Sequence, residues 1–172
     1  MVHLFKRWAA VAAGILIGFS IGFLTTPSEA REVVTFTQPH SAGTIVINTK
    51  EKRLYYVLGQ GRAIRYPIAV GMQGKVWRGA TQIVRKAVDP VWSPPDEVRR
   101  DKPSLPHLIP PGPRNPLGPR AMLLGNGQYA IHGTNNPSSI GRNASYGCIR
   151  MHNEHVIDLY NRVDVGTPVV AY

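Results

Sequence analysis

The chain has 172 residues, with 20 Lys+Arg against 10 Asp+Glu and a formal net charge of +10. A single domain of that size buries one sizeable core. The basic excess comes without any cluster interleaving aromatic and basic residues, which argues against nucleic acid as a partner. It fits a solvated basic face or polyanions of the cell envelope.

In chain order, Lys6 and Arg7 precede an apolar run from Trp8 to Leu24, and Ser28-Glu29-Ala30 then offers small residues at the positions a signal peptidase reads. That order predicts a secretory signal peptide over residues 1–30 or, if it is retained, an N-terminal anchor. The expected location is therefore periplasmic, with 31–42 as a short linker and 43–172 as the folded domain. Loss of Lys6, Arg7 and Glu29 lowers the net charge by one.

Beyond residue 42 the pattern is of short strands. Residues 43–49 (GTIVINT) set Ile45 and Ile47 two apart, 50–52 turn into RLYYVL at 53–58, and 59–61 form a hairpin turn into RAIRYPIAVG. Residues 82–88 form another strand. Residues 121–124, a Gly125-Asn126-Gly127 turn and residues 128–131 predict a hairpin that delivers His132 at its end. Asn153 is placed to cap a helix over 154–163, where Val156, Leu159, Tyr160 and Val163 share a face. Gly166 and Pro168 end that helix, and PVVAY closes the chain as a strand. The expected class is mostly β with one helix in the C-terminal region.

Ten of the chain's 15 prolines lie between Pro90 and Pro119. Proline lacks a backbone donor, so this stretch is not an interior strand. Trp92, Leu105, Leu108 and Ile109 give it apolar anchors, which predicts an ordered loop beside a cleft.

Cys148 is the only cysteine. In an exported protein an unpaired cysteine is either a buried small hydrophobe or a reactive thiol, and composition alone does not choose between them. A thiol attacks a carbonyl as thiolate, so it needs a neighbouring base, a group that orients the base, and donors for the oxyanion. His132 at a strand end, Gly133 after it, Gly147 before the cysteine and Arg150 two residues beyond supply those types within twenty residues.

That stretch, HGTNNPSSIGRNASYGCIRM at 132–151, resembles the active-site motif of the L,D-transpeptidase catalytic domain family (YkuD-type): His-Gly-Thr, then Ser-His-Gly-Cys with an Ile/Val-Arg tail. AVGMQG, DPVWSPP, NPLGPRAM and VGTPVVAY also fall in that family's order, so the resemblance covers roughly residues 43–172. It implies a β-sandwich-like catalytic domain with no cofactor and no metal, acting on peptidoglycan tetrapeptide stems in cell-wall biogenesis through a cysteine thioester. Residue by residue, Cys148 is similar to the nucleophile and His132 to the general base and acid. Gly133 matches the residue whose carbonyl orients His132, and the Gly147 backbone matches the oxyanion hole. Arg150, Ser145, Tyr146 and Thr134 match substrate-binding positions. The implied partners are peptidoglycan stem peptides as acyl donors, and a stem amine, an outer-membrane lipoprotein or an outer-membrane protein as acceptor. Carbapenems are the implied inhibitors. Water as acceptor would make the enzyme an L,D-carboxypeptidase.

Two positions depart from the family pattern. Tyr146 stands where histidine is usual, and a phenol with a pKa of about 10 is no base at neutral pH. Val76-Trp77-Arg78-Gly79 replaces Thr-Pro-x-Gly ahead of a strand, which alters the neighbouring groove. Three other readings compete. A papain-like hydrolase needs its histidine well downstream of the cysteine, where only His152 and His155 lie. A zinc site from Cys148, His152 and His155 lacks an evident fourth ligand. A peptidoglycan-binding module with a degenerate site rests on Tyr146 alone.

Overall fold

The structure is a computed structural model and describes residues 31–127 and 129–172. The expected signal or anchor over 1–30 lies outside the described residues, as does Gln128 at the start of the expected hairpin strand. The elements run β1 (Glu32–Thr35), β2 (Ile45–Asn48), β3 (Arg53–Gly59), β4 (Arg62–Gly71), β5 (Gly79–Val88), α1 (Asp96–Asp101) and β6 (Arg120–Leu124). They continue with β7 (Ala130–His132), a 3₁₀ turn (Pro137–Ser139), β8 (Asn143–Ser145), β9 (Ile149–Met151), α2 (Asn153–Tyr160) and β10 (Pro168–Ala171).

The strands lie in the order β1-β4-β3-β2-β10-β5-β6-β7-β9, and β9 pairs back onto β4, so the sheet closes into a barrel-like sandwich. Closure removes the exposed edges that an open sheet would leave. β4 makes it possible through its ten-residue length. Its first half pairs with β1 and β3, Ile68 and Ala69 pair with Met151 and Arg150 of β9, and its last two residues run beside β8. Ile45, Ile47, Tyr66, Ile68, Ile83, Met122, Ile131 and Met151 fill the interior at full burial, and Val156 and Leu159 of α2 join the same core.

Most expected strands appear within a few residues of their reading, and β5 begins three residues earlier, at Gly79. The segment read as a linker, 31–42, carries β1, which pairs antiparallel with β4 from Glu32↔Arg65 to Thr35↔Arg62. Phe36 then packs with Val46, Val57 and Ala63 in a second, smaller core. Val46, between Ile45 and Ile47, therefore has an apolar layer over its own face, and β2 is buried on both sides. Short length and polar flanks hid β1 from a reading based on periodicity.

α2 starts at Asn153, one residue before the expected helix, and ends at Tyr160. His152 holds the capping position without a side-chain cap bond. Asn153 is thus the first helical residue and not the cap; its Oδ1 accepts from the Thr134 N–H at 2.8 Å across the chain. Val163 lies beyond the helix and is still buried at 3% exposure.

The proline-rich segment is ordered and contains α1, which was not expected. Pro94-Pro95 precede the helix, Asp96 and Glu97 sit in its first turn, and Arg99 and Arg100 in its last, as the helix dipole favours. Trp92 and Ile109 exchange backbone hydrogen bonds of 2.9 and 2.8 Å. Buried Asn115 donates Nδ2 to the carbonyls of Pro90, Ile109 and Pro110, gathering acceptors that prolines cannot satisfy.

α2 is bolted to the barrel through Asp158. Its carboxylate accepts the Tyr66 hydroxyl at 2.6 Å, pairs with Arg162 at 2.9 Å and also meets Arg31. Burial pushes this carboxyl up, but the bonds from Arg162 and Tyr66 and the charges of Arg162 and Arg31 outweigh it and hold the pKa at about 2. A depressed carboxyl contributes stability that is complete above its unfolded pKa and is lost as pH falls through the folded one. Asp158→Ala, which strands the fully buried Tyr66 hydroxyl, should cost about 1–3 kcal/mol at pH 7. That gap should shrink between pH 4 and pH 2. Urea unfolding followed by circular dichroism across this range measures both.

Candidate active site

The site begins with a parallel ladder. Ile131 pairs with Ile149 and His132 with Arg150, joining β7 to β9. Partners in register point to the same side of a sheet, and so do residues two apart along a strand. Arg150 therefore lies beside His132. Cys148, immediately before β9, sits on the same face, diagonal to the histidine and against the Ala130 backbone.

His132 is 4% exposed, and its Nδ1 lies 2.7 Å from the Gly133 carbonyl oxygen. A carbonyl only accepts, so Nδ1 carries the proton and Nε2 is left with the lone pair. Burial, followed by the positive charge of Arg150, lowers the imidazole pKa to about 4 against the pull of the Gly133 and Pro116 carbonyls. Burial raises the Cys148 thiol, opposed by the Ala130 backbone and by Arg150. Burial also lowers Arg150, whose Nε is buried without a hydrogen-bond partner. At neutral pH the resting pair is thus a neutral imidazole and a protonated thiol, with a guanidinium close to both.

The turn into Cys148 is tightly built. Gly147 has φ +118°, and a Cβ there would lie 2.3 Å from the Tyr129 ring. No other residue satisfies both conditions. Ser145 is 1% exposed; its hydroxyl donates to the Cys148 carbonyl at 2.6 Å and accepts from the Gly147 N–H at 3.1 Å. The Gly147 amide, expected in the oxyanion hole, is therefore engaged by Ser145. Ser145, expected at the substrate, braces the turn through these two bonds. Thr134 is also turned inward: its N–H goes to Asn153, its hydroxyl accepts from the Asn136 N–H, and it lines a separate cavity of about 240 Å³.

Two cavities flank the thiol face. One of about 460 Å³ reaches Cys148 and is bordered by Asp96, Glu97, Asn126, Tyr129 and Tyr146. The other, of about 270 Å³, reaches Arg150 and is bordered by Trp92, Ile109, Arg114, Asn136 and Tyr146. Val98 of α1 and Tyr146 belong to both and form the partition. Tyr146 donates its hydroxyl to Asp101 Oδ2 at 2.8 Å, Lys75 lies 5.1 Å over its ring, and Lys75 pairs with Glu97. The residue that departs from the family pattern is thus a fastener for α1. The second departure has a place as well, since Trp77 stacks on Tyr129 with centroids 6.0 Å apart and builds the cavity wall from behind.

Cys148, His132, Gly133, Gly147, Tyr146 and Arg150 lie together around the thiol face, and Ser145 and Thr134 make hydrogen bonds within the chain. His155 packs on Tyr66 and His152 on His155; among the described residues, no three His, Cys, Asp or Glu side chains cluster to hold a metal. The sequence reading missed Lys75, Glu97 and Asp101, because α1 hides among prolines. It saw Asn153 only as a cap.

The model of the L,D-transpeptidase catalytic domain (YkuD) matches residues 42–170. The chain is 42% identical over 134 residues to Probable L,D-transpeptidase YbiS of Escherichia coli K12, covering 73% of this chain and 43% of YbiS. It is 35% identical over 98% of both chains to ORF 5 of the ATP synthase subunits region of Fuscovulum blasticum, whose name is also that of an L,D-transpeptidase. The chain spans under half the length of YbiS. In fold it is similar to Mycobacterium tuberculosis L,D-transpeptidase 3 in complex with a faropenem-derived adduct, at TM-score 0.56 and 16% identity, over 74% of this chain and 59% of that one.

A buried, raised thiol beside a guanidinium predicts a distinct labelling profile. Alkylation of Cys148 by iodoacetamide should be slow at pH 7 and keep rising through pH 9. Arg150→Ala should slow it at pH 8 by about 3-fold or more, because one adjacent charge shifts a pKa by a sizeable fraction of a unit. Intact mass against time at several pH values checks this, and a plateau below pH 8 contradicts it.

Proposed function

The chain belongs to the L,D-transpeptidase catalytic-domain family, and from that premise we propose that it transfers the acyl group of a peptidoglycan tetrapeptide stem to an amine through a thioester on Cys148. The observation that carries the reading is the single sheet face shared by His132, Arg150 and Cys148. The basic, apolar and small-residue order of residues 1–30 supports action in the periplasm.

In this reading, a substrate carboxylate docks on Arg150, whose buried Nε has no hydrogen-bond partner among the described residues. Its negative charge offsets the guanidinium that holds His132 at low pKa, so the imidazole becomes a stronger base as substrate binds. Nε2 takes the Cys148 proton while sulfur attacks the carbonyl of the third stem residue, and the new C–S bond drives the carbonyl electrons onto oxygen. Backbone amides of the turn before β9 face the oxyanion, with those of Tyr146 and Cys148 in place of the engaged Gly147 N–H. The C–N bond to D-alanine then breaks, and His132 returns the proton to the leaving amine. An acceptor amine attacks the thioester, losing its proton to His132, and the thiol is regenerated. The acceptor is a stem side-chain amine or an amine of an outer-membrane lipoprotein or protein; water in its place gives the L,D-carboxypeptidase. The faropenem-derived adduct of the mycobacterial relative makes β-lactams, carbapenems among them, the natural covalent probes.

Incubation with tetrapeptide muropeptides, followed by mass analysis, tests the reaction. Cross-linked dimers with release of D-alanine are expected, and tripeptide alone selects hydrolysis. Unchanged substrate, together with no β-lactam labelling of Cys148, selects a binding module. Cys148→Ala should abolish turnover, and His132→Ala should lower it by about 10²–10⁴-fold.

Tyr146 gives a separate prediction. Tyr146→Phe removes the bond to Asp101 and should lower turnover about 2–10-fold, the equivalent of one net hydrogen bond. Tyr146→His should retain activity, because it restores the histidine usual at this position of the family motif. Steady-state turnover of the two variants checks this; an inactive Tyr146→His protein contradicts it.

A further inference from the structure

Asn153 lies outside the cavities that reach Cys148 and Arg150, and no step of the transfer above uses it. Its surroundings are nevertheless crowded in a specific way. A Cβ on Gly133 would lie 2.5 Å from Asn153 Oδ1, and a Cβ on Gly118 would lie 2.6 Å from the same oxygen. Two glycines, on two different loops, leave room for one carboxamide oxygen. That oxygen accepts the Thr134 N–H at 2.8 Å, which also fixes the amide orientation, since the NH₂ end could not accept.

The Thr134 N–H and the Gly133 carbonyl are the two ends of one peptide unit. The carbonyl end lies 2.7 Å from His132 Nδ1. The bonds therefore run as a chain: Nδ1–H of His132 donates to the peptide oxygen, and the peptide N–H donates to Asn153 Oδ1. Peptide resonance couples the two, because a good acceptor at the N–H end increases electron density at the oxygen. A bare backbone carbonyl is a modest orienter for a catalytic imidazole, and a swing of the 133–134 peptide plane would release Nδ1 altogether.

We propose that Asn153 is a positioning residue for the acyl transfer, pinning and polarising the Gly133–Thr134 peptide so that His132 keeps its proton on Nδ1 and its lone pair on Nε2. The inference rests on His132 being the base of the proposed reaction. It also explains why α2 begins without a side-chain cap: the residue best suited to capping has its carboxamide committed to the loop after β7.

Two variants and two readouts test it on the full chain. Asn153→Ala should lower kcat about tenfold, the worth of one hydrogen bond, with KM within about twofold. In nitrogen-15 NMR the wild-type His132 ring should be a pure Nδ1–H tautomer at pH 7 with a slowly exchanging proton. Asn153→Ala should mix the tautomers and speed that exchange. Asn153→Asp keeps an acceptor for the same N–H and adds negative charge, so it should restore kcat and move the acid limb of the rate profile above its wild-type position. The proposal is overturned if Asn153→Ala leaves kcat, tautomer and exchange unchanged. It is equally overturned if Asn153→Asp falls as far as Asn153→Ala, which marks a role in shape alone. Should Asn153→Ala fail to fold, an acid limb unmoved in Asn153→Asp is decisive against it. A wild-type protein that turns over no muropeptide defeats the acyl-transfer reading, while the imidazole spectra still judge Asn153.

Discussion

Two pairs in one short ladder, Ile131 with Ile149 and His132 with Arg150, set the geometry on which the site depends. β7 and β9 have only three residues each, too few to hold a register alone. They are held because β9 is flanked on its other edge by β4, where Ile68 meets Met151 and Ala69 meets Arg150, and because Ile131, Ile149 and Met151 are buried in the core. A slip of one residue would turn Cys148 and Arg150 to the opposite face and bury a guanidinium in hydrocarbon. Closure of the barrel thus fixes the relation between a histidine and a cysteine sixteen positions apart.

The turn that follows from this constraint uses nearly every polar group for its own construction. Gly147 must accept a positive φ against the Tyr129 ring, and the Ser145 hydroxyl ties both ends of the turn. The consequence is electrostatic as well as geometric. With the Gly147 amide and the Ser145 hydroxyl committed locally, the Arg150 Nε stays without a hydrogen-bond partner among the described residues, and that guanidinium acts on both His132 and Cys148. It disfavours imidazolium and favours thiolate. For proton transfer from thiol to imidazole these two effects oppose each other, and burial of both groups keeps the resting pair neutral.

Much of this was legible in the sequence, for reasons that differ by element. Strands β3, β4 and β6 declare themselves through length, alternation and glycine turns, and the His-Gly-Thr and Ser-Tyr-Gly-Cys segments declare the family. β1 did not, because four residues with polar flanks carry no periodicity; Phe36 beside it shows its purpose only once Val46 needs cover. α1 was hidden because ten prolines outweigh a six-residue helical signal. Asn153 and Ser145 were seen but given roles from local rules or family position. Their true partners, Thr134 and the Cys148 carbonyl, are set by tertiary approach, which no window along the chain contains.

The strength of the parts is graded. The barrel that carries His132 and Cys148 is held by buried ladders and a continuous core, each large apolar residue in it worth about 1.5–3 kcal/mol of burial. α1, the wall between the two cavities, is held near Tyr146 by one neutral-donor hydrogen bond and one surface ion pair, worth together about 1–2 kcal/mol. The contacts that fix the wall between the two cavities are thus weaker than those that fix the His132–Arg150 register.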